Sequence, residues 1–130
     1  MRIMGINCSP RKGQTTQKSL EACLNAAREE SDNIRTDIVE LAGLDIHGCL
    51  DCDYCRTRLK CKQDDDFNSL ISALNDKELV GIVIGTPVYL GTMTSQCKAF
   101  LDRSVMFRRN GFMLRNKLGG VVAVGGVRNG

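Results

Sequence analysis

The sequence predicts a single α/β domain built on an open parallel sheet with helices on both faces. Short apolar runs typical of buried strands alternate with segments of helical periodicity along the 130 residues. Such alternation is typical of parallel strands joined by helical crossovers. Hydrophobic residues make up 42% and charged residues 25% of the chain, as in ordinary globular domains. We therefore expect one domain over residues 1–130.

The first half of the chain predicts two strands, one helix and a long loop. Residues 3–8 are an apolar run that predicts a buried strand, and residues 34–41 predict a second strand. The helix between them shows i, i+3, i+4, i+7 spacing, with Thr15 or Thr16 as its N-cap. Residues 43–62 lack periodicity and predict a loop. The inward face of this first helix comprises Leu20, Cys23, Leu24 and Ala27.

The second half predicts two helices and two strands. Three acids at 64–66 suit the positive end of a helix dipole and predict a helix start. The nearly continuous apolar run at 79–85 predicts a central parallel strand. A helix over about 94–108 and a fourth strand over 118–124 follow. No helix follows the fourth strand, so we expect a C-terminal helix and edge strand to be missing. The apolar stripe of the helix after the acids comprises Phe67, Leu70, Ile71 and Leu74.

Two loops after predicted strands are candidates for binding a nucleotide. Residues 9–16 open the first helix, where backbone N–H groups and the helix dipole can hold a phosphate. They match neither the dinucleotide-binding nor the P-loop motif, and their hydroxyls suit a monophosphate. In residues 86–91, proline, glycine and two apolar side chains suit a flat ring. Each loop alone is equally consistent with an ordinary turn, but together they favour flavin mononucleotide (FMN).

The most specific motif is a compact run of four cysteines with spacers of two, two and five residues. Short spacers turn successive sulfurs toward a common point, as a [4Fe–4S] cluster requires. Structural zinc usually takes two pairs of ligands separated by a longer loop. The spacing therefore favours a cluster, with zinc or free thiols as the alternatives. The four residues are Cys49, Cys52, Cys55 and Cys61.

The remaining cysteines and the basic residues have simpler interpretations. Cys8, Cys23 and Cys97 fall on predicted buried positions and would act as small apolar side chains. His47 precedes the cysteine run, where a loop or supporting role is expected. The basic residues between 103 and 117 predict a solvated face or a subunit contact. The alternative for that stretch is a docking surface for an acidic redox partner.

Charge and hydropathy argue against two classes of partner. The net charge of +3 is too small to demand a nucleic acid. The longest apolar runs, 79–85 and 118–127, are far shorter than the roughly 18 residues of a membrane span. The N-terminus has no signal-peptide layout. We therefore expect a cytoplasmic protein with no nucleic-acid or membrane partner.

Several motifs together resemble the iron–sulfur flavoprotein family of anaerobic archaea and bacteria. That family belongs to the wider NAD(P)H-dependent FMN reductase group, which has a flavodoxin-like fold. The resemblance implies one FMN and one [4Fe–4S] cluster per subunit, a homodimer or tetramer, and electron exchange with ferredoxin. Family members continue into a further helix and strand, so the resemblance also implies a C-terminal truncation. The motifs are residues 9–13, the four-cysteine run, 87–89, 98–104 and 125–130.

The resemblance also implies a role for particular residues. The four cysteines of the run would be the cluster ligands. The phosphate would be held by Ser9, Arg11, Gln14, Thr15 and Thr16. The ring side would be formed by Pro87, Val88, Tyr89, Leu90 and Gly91, with Gly126 and Arg128 nearby.

The expected function is that of an FMN-dependent oxidoreductase that passes electrons between ferredoxin and an acceptor. In such proteins the cofactors carry the chemistry, so no general acid or base is required of the chain. One alternative is an NAD(P)H-dependent FMN or quinone reductase in which the loop at residues 43–62, here called the cysteine loop, is structural. Another is a non-enzymatic module that binds zinc or a cluster.

Overall fold

The computed structural model describes residues 1–126, which form a four-stranded parallel sheet in the order β2-β1-β3-β4. Four α-helices and one 3₁₀ turn at Tyr54–Arg56 connect the strands in this part of the chain. The strands are β1 (Arg2–Asn7), β2 (Arg35–Glu40), β3 (Leu79–Pro87) and β4 (Leu118–Val124). The helices are α1 (Thr15–Glu29), α2 (Phe67–Leu74), α3 (Ser95–Arg103) and α4 (Val105–Arg109).

Helices cover both faces of the sheet, which confirms the predicted fold class. On one face, α1 buries Leu20 and Leu24 against two strand glycines. A Cβ on Gly85 would lie only 2.6 Å from Leu20, so glycine lets α1 approach β3 closely. Side chains from β1 and from α2, α3 and α4 form the core on the opposite face. That core includes Met4, Ile6, Cys8, Phe67, Ile71, Leu74, Cys97, Phe100, Met106 and Phe107.

The single helix expected over about 94–108 is two helices that meet at Ser104. The Ser104 hydroxyl donates to the Leu101 carbonyl at 2.6 Å, and its N–H is shared between the carbonyls of Phe100 and Leu101. Such side-chain bonds to the preceding turn compete with regular helical bonding. The break therefore follows from a local hydrogen bond that apolar periodicity does not reveal.

Two expectations about α1 were wrong. Its N-cap is Gln14, so Thr15 and Thr16 are the first two helical residues. Cys23 is exposed, although it was expected to face inward. The buried stripe of α1 is narrow, because Leu20 and Leu24 are four residues apart. Cys23, three residues after Leu20, lies at the solvent-exposed edge of this stripe.

Loops that follow β1, β3 and β4 meet at one edge of the sheet. In an open parallel sheet, ligands bind at the carboxyl ends of the strands, where the connections diverge. Here β1 leads to β2 on one side and pairs with β3 on the other. None of the helices within residues 1–126 is both long enough and apolar enough to span a membrane.

Candidate functional site

Nine predicted nucleotide-binding residues surround one cavity at the carboxyl ends of β1, β3 and β4. Its volume is about 320 Å³, within the range of small-molecule sites. Val124 and Gly125 complete its lining. Arg128 lies outside the described residues. The nine residues are Ser9, Arg11, Gln14, Thr15, Thr16, Pro87, Val88, Tyr89 and Gly126.

The loop after β1 is held by a buried asparagine that the sequence analysis missed. Asn7 is fully buried, and its amide donates to Glu40 at 2.8 Å. The Asn7 side-chain oxygen accepts from the Ser9 N–H at 3.1 Å, and the Ser9 hydroxyl accepts from the Arg11 N–H at 3.2 Å. These bonds fix the loop where α1 begins. The Gln14 side chain makes no capping hydrogen bond. The first-turn N–H groups of α1, which face the cavity region, are therefore not occupied by that side chain.

The ring-side loop is a two-residue hairpin that only partly lines the cavity. The Tyr89 N–H donates to the Thr92 carbonyl at 2.9 Å, and the Thr92 N–H returns a bond at 3.1 Å. Leu90 and Gly91 both have positive φ, 48° and 77°, as a tight hairpin turn requires. Leu90 is fully exposed at the turn tip. Neither Leu90 nor Gly91 lines the cavity, in contrast to the expectation from sequence.

Two buried threonines connect this loop to the end of β1. Thr94 caps α3 by accepting from the Cys97 N–H at 3.2 Å, and its hydroxyl donates to the Cys8 carbonyl at 2.8 Å. The Thr94 N–H in turn donates to the Thr86 hydroxyl at 3.2 Å. The two loops that line the cavity are therefore joined by one set of hydrogen bonds at their base. The local sequence can indicate this cap, because Thr94 lies three residues before Cys97, the first inward residue of the helix. The contact between Thr94 and the end of β1 joins residues far apart in sequence, so the local pattern does not predict it.

All four cysteines of the run line a second cavity. Its volume is about 20 Å³, room for roughly one water molecule. In residues 1–126, no three His, Cys, Asp or Glu side chains are grouped tightly enough to hold a single ion. Cys49 and Cys52 are exposed, whereas Cys55 and Cys61 are half-buried. Four thiols are the donor type that an iron–sulfur cluster takes, but their side chains would have to rearrange to converge on one.

Two of the cysteine sulfurs each accept a hydrogen bond from a polar donor. The Asp51 N–H donates to the Cys49 sulfur at 3.4 Å, and Arg109 donates to the Cys55 sulfur at 3.7 Å. Asp51 and Asp53 both have positive φ, which folds the chain tightly between cysteines. Hydrogen bonds with Asp51 and with Cys55 raise the pKa of Arg109. Such donors stabilise thiolates and tune metal clusters.

The start of the cysteine loop is held by a buried ion pair that sequence reasoning missed. Arg103 was expected on a solvated basic face, yet its side chain is only 1% exposed and pairs with Asp65. His47 binds this pair through its backbone, because its N–H donates to Asp65 and its carbonyl accepts from Arg103. The Cys61 N–H donates to the Asn68 side chain at 3.0 Å. Both ends of the loop are thus tied to α2 and α3.

An open apolar groove adjoins the cysteine cavity. Its volume is about 790 Å³, and Cys49, Val105 and Arg109 border both spaces. Phe112 is 59% exposed beside it. Lys117 belongs to the basic stretch between residues 103 and 117, but its ammonium donates to the backbone carbonyls of Asp76 and Leu79. The rest of the groove is formed by Asp51, Leu101, Asp102, Ser104, Phe107, Arg108, Leu114 and Arg115.

Comparison with known proteins identifies the family. The profile of the family described as NADPH-dependent FMN reductase matches residues 1–130. The chain belongs to this family. An iron–sulfur flavoprotein from Methanosarcina thermophila is 40% identical over the whole chain, which spans 66% of that relative. An iron–sulfur flavoprotein from Methanocaldococcus jannaschii is 41% identical, and the chain spans 65% of it. The resemblance to iron–sulfur flavoproteins is thereby confirmed.

Solved structures of flavin proteins share the fold of this FMN reductase family member. The crystal structure of RosB with a bound riboflavin-phosphate derivative gives a TM-score of 0.75 at 21% identity, covering 99% of this chain and 54% of RosB. The apo NADH:FMN oxidoreductase EMOB gives a TM-score of 0.65 at 25% identity, covering 98% of this chain and 59% of EMOB. The flavodoxin-like fold predicted from the sequence is therefore confirmed.

Proposed function

We propose that this chain binds FMN and a [4Fe–4S] cluster and passes electrons between a ferredoxin and an acceptor. The observation that carries the proposal is the pair of cavities in one domain. One is bordered by all four cysteines of the run, and the other by both candidate flavin loops. When bound, the two cofactors would supply one-electron and two-electron redox chemistry.

The cysteine loop would hold the cluster through four thiolates. Cys55 and Cys61 sit at the base of the loop, half-buried against the core. Cys49 and Cys52 are exposed and free to close over a bound cluster. The N–H of Asp51 and the guanidinium of Arg109 supply donors to sulfur, which offset negative charge on a thiolate-bound cluster. The similarity to iron–sulfur flavoproteins supports iron–sulfur binding here.

The cavity at the ends of β1, β3 and β4 would hold FMN. Its phosphate would meet the first turn of α1 together with Ser9 and Thr16, where backbone N–H groups and hydroxyls favour an anion. Pro87 and Tyr89 would contact the ring. The match to the FMN reductase family supports FMN as the ligand.

The partner we propose for the groove is an acidic ferredoxin. Arg108 and Arg115 are exposed at its edge, and Cys49 borders it. Complementary charge would steer an acidic protein to the place where the cluster is most accessible. Replacing both arginines by Glu should slow reduction by ferredoxin, most strongly at low salt. Arg28→Glu, on the exposed end of α1, is the matched control and should leave the rate unchanged. Equal rates in the two variants would contradict this docking surface.

A second candidate function is an NAD(P)H-dependent FMN reductase in which the cysteine loop is structural. The description of the matching family favours it specifically. Anaerobic mixing of the flavin-loaded chain with NADPH or with reduced ferredoxin distinguishes the two. Fast flavin reduction by NADPH and none by ferredoxin would favour the reductase. The reverse would support electron transfer from ferredoxin.

We also propose that the chain assembles as a homodimer or tetramer, as iron–sulfur flavoproteins are expected to do. Sedimentation equilibrium of the cofactor-loaded protein measures this directly. A mass equal to a single chain across the micromolar range would contradict it.

A further inference from the structure

Arg103 is buried in the core beside the cysteine cavity, and one of its three nitrogens lacks an acceptor among the described residues. Its Nη1 donates to Asp65 at 2.6 Å and to the His47 carbonyl at 2.8 Å, and Nη2 donates to Asp65 at 2.8 Å. The guanidinium also stacks on Phe67, 4.9 Å from the ring centre. Its Nε, by contrast, is buried without a hydrogen-bond partner among the described residues. Leaving such a donor unsatisfied destabilises the folded protein, so it calls for a partner.

The candidate acceptor for this donor is the sulfur of Cys61. Arg103 and Cys61 line the same cavity, which the other three cysteines also border. Of the two half-buried cysteines at this cavity, Cys55 already accepts from Arg109, which leaves Cys61 as the half-buried sulfur for the Arg103 donor. Both Nη atoms already have an acceptor, whereas Nε has none among the described residues, so Nε is the nitrogen that still needs one.

We propose that Arg103 is a positioning residue for the iron–sulfur cluster, its buried Nε–H donating to the thiolate of Cys61. The inference rests on the proposed function, because it requires that Cys61 ligate a cluster. Hydrogen bonds to ligand sulfurs stabilise the more negative, reduced form of a cluster and raise its reduction potential. Asp65 holds the guanidinium in place, so Asp65 acts on the cluster only through Arg103. Arg109 acts differently, from the rim of the cavity and on Cys55.

Arg103→Lys tests the assignment. Lysine keeps the charge that Asp65 needs but has no donor at the Nε position. The matched control is Arg2→Lys, since Arg2 makes a similar two-point bond to Asp37 at 2.7 and 2.8 Å on another part of the sheet. The measurements are iron content, the rate of iron loss to a chelator, the cluster reduction potential, and the melting temperature of the metal-free protein.

We expect Arg103→Lys to lose iron to the chelator about 10-fold faster than wild type and to have a more negative cluster potential. Arg2→Lys should lower the melting temperature without changing either cluster property. If Arg103→Lys fails to fold, Arg103→Gln combined with Asp65→Asn leaves no unpaired buried charge and should show the same two changes.

The outcomes separate the inference from the function on which it rests. A wild-type chain that binds no iron and sulfide would overturn both. A wild-type chain with a cluster, together with an Arg103 variant of unchanged potential and iron-loss rate, would overturn only the role of Arg103.

Discussion

Arg103 and Asp65, 38 residues apart in sequence, form a two-point ion pair in which both side chains are almost completely buried. This pair joins α3 to the segment just before α2, and through His47 it anchors the start of the cysteine loop. A buried pair is costly to break, because the remaining partner becomes an uncompensated charge. The loop that carries the candidate cluster ligands is therefore fastened to the core through a buried ion pair.

Acid should weaken this anchor. Burial favours the neutral acid, but hydrogen bonds from Arg103 and from the backbone of His47 and Phe67 lower the pKa of Asp65. The stability that follows is fully present above the unfolded-state pKa of about 3.9 and is lost as pH falls below it. Asp65→Asn should cost about 3–5 kcal/mol at pH 7 and flatten the dependence of stability on pH below about 4.

Urea unfolding between pH 3 and pH 7 measures both effects. Asp102→Asn is the control, because its bond to Lys98 is on the surface, with the carboxylate 44% exposed. That variant should change stability little at any pH. A wild-type profile that matches Asp65→Asn below pH 4 would show that the pair does not titrate in this way.

Gly85→Ala should push α1 away from the sheet. The added Cβ would lie 2.6 Å from a methyl carbon of the fully buried Leu20. Overpacking of this kind typically costs about 1–3 kcal/mol. Gly119→Ala is the control, since nothing lies within 4 Å of its added Cβ. Thermal unfolding of both variants decides the matter, and equal melting temperatures would mean that the approach of α1 to β3 is not tight.

Thr16→Ala should weaken FMN binding. Thr16 is buried in the first turn of α1 and lines the cavity proposed for FMN. Loss of one hydrogen bond to a charged phosphate costs about 1.5–3 kcal/mol, or roughly a 10-fold to 100-fold rise in Kd. Ser19→Ala is the control, because Ser19 lies on the same helix and donates to the Thr15 carbonyl away from the cavity. Calorimetric titration with FMN gives both values, and an unchanged Kd for Thr16→Ala would remove its hydroxyl from the site.

Cys55→Ser should abolish most cluster binding while leaving FMN bound. A serine oxygen is a poorer ligand than a thiolate for a soft iron centre. Cys23→Ser is the control, because Cys23 is exposed on α1 outside the cysteine run. Iron, sulfide and flavin analysis of the reconstituted proteins gives the comparison. The same iron content in the two variants would exclude Cys55 as a ligand.

Local patterns in the sequence were sufficient to predict the strands, the fold class and the meeting of two loops at one cavity. Apolar runs predicted β1 and β3. Because the carboxyl ends of parallel strands lie at one edge of the sheet, residues 9–16 and 87–89 were expected to lie close together. The spacing of the cysteines likewise predicted their shared cavity. These features depend on residues that are close in sequence or on general rules of topology.

Features that depend on specific distant contacts were not predicted. The Arg103–Asp65 pair links residues 38 positions apart, so Arg103 looked like one more surface cation. Asn7 looked like part of a strand, and only its bonds to Glu40 and Ser9 reveal its role. Leu90 looked like an apolar wall for a ligand, but a positive φ places it at the tip of a turn.

The most direct test of the central claim is the cofactor content of the wild-type chain after anaerobic reconstitution with iron, sulfide and FMN. The account predicts about four iron and four sulfide ions per chain, with about one FMN. Zinc in place of iron, or flavin without acid-labile sulfide, would contradict the proposal that both cofactors bind within this one domain.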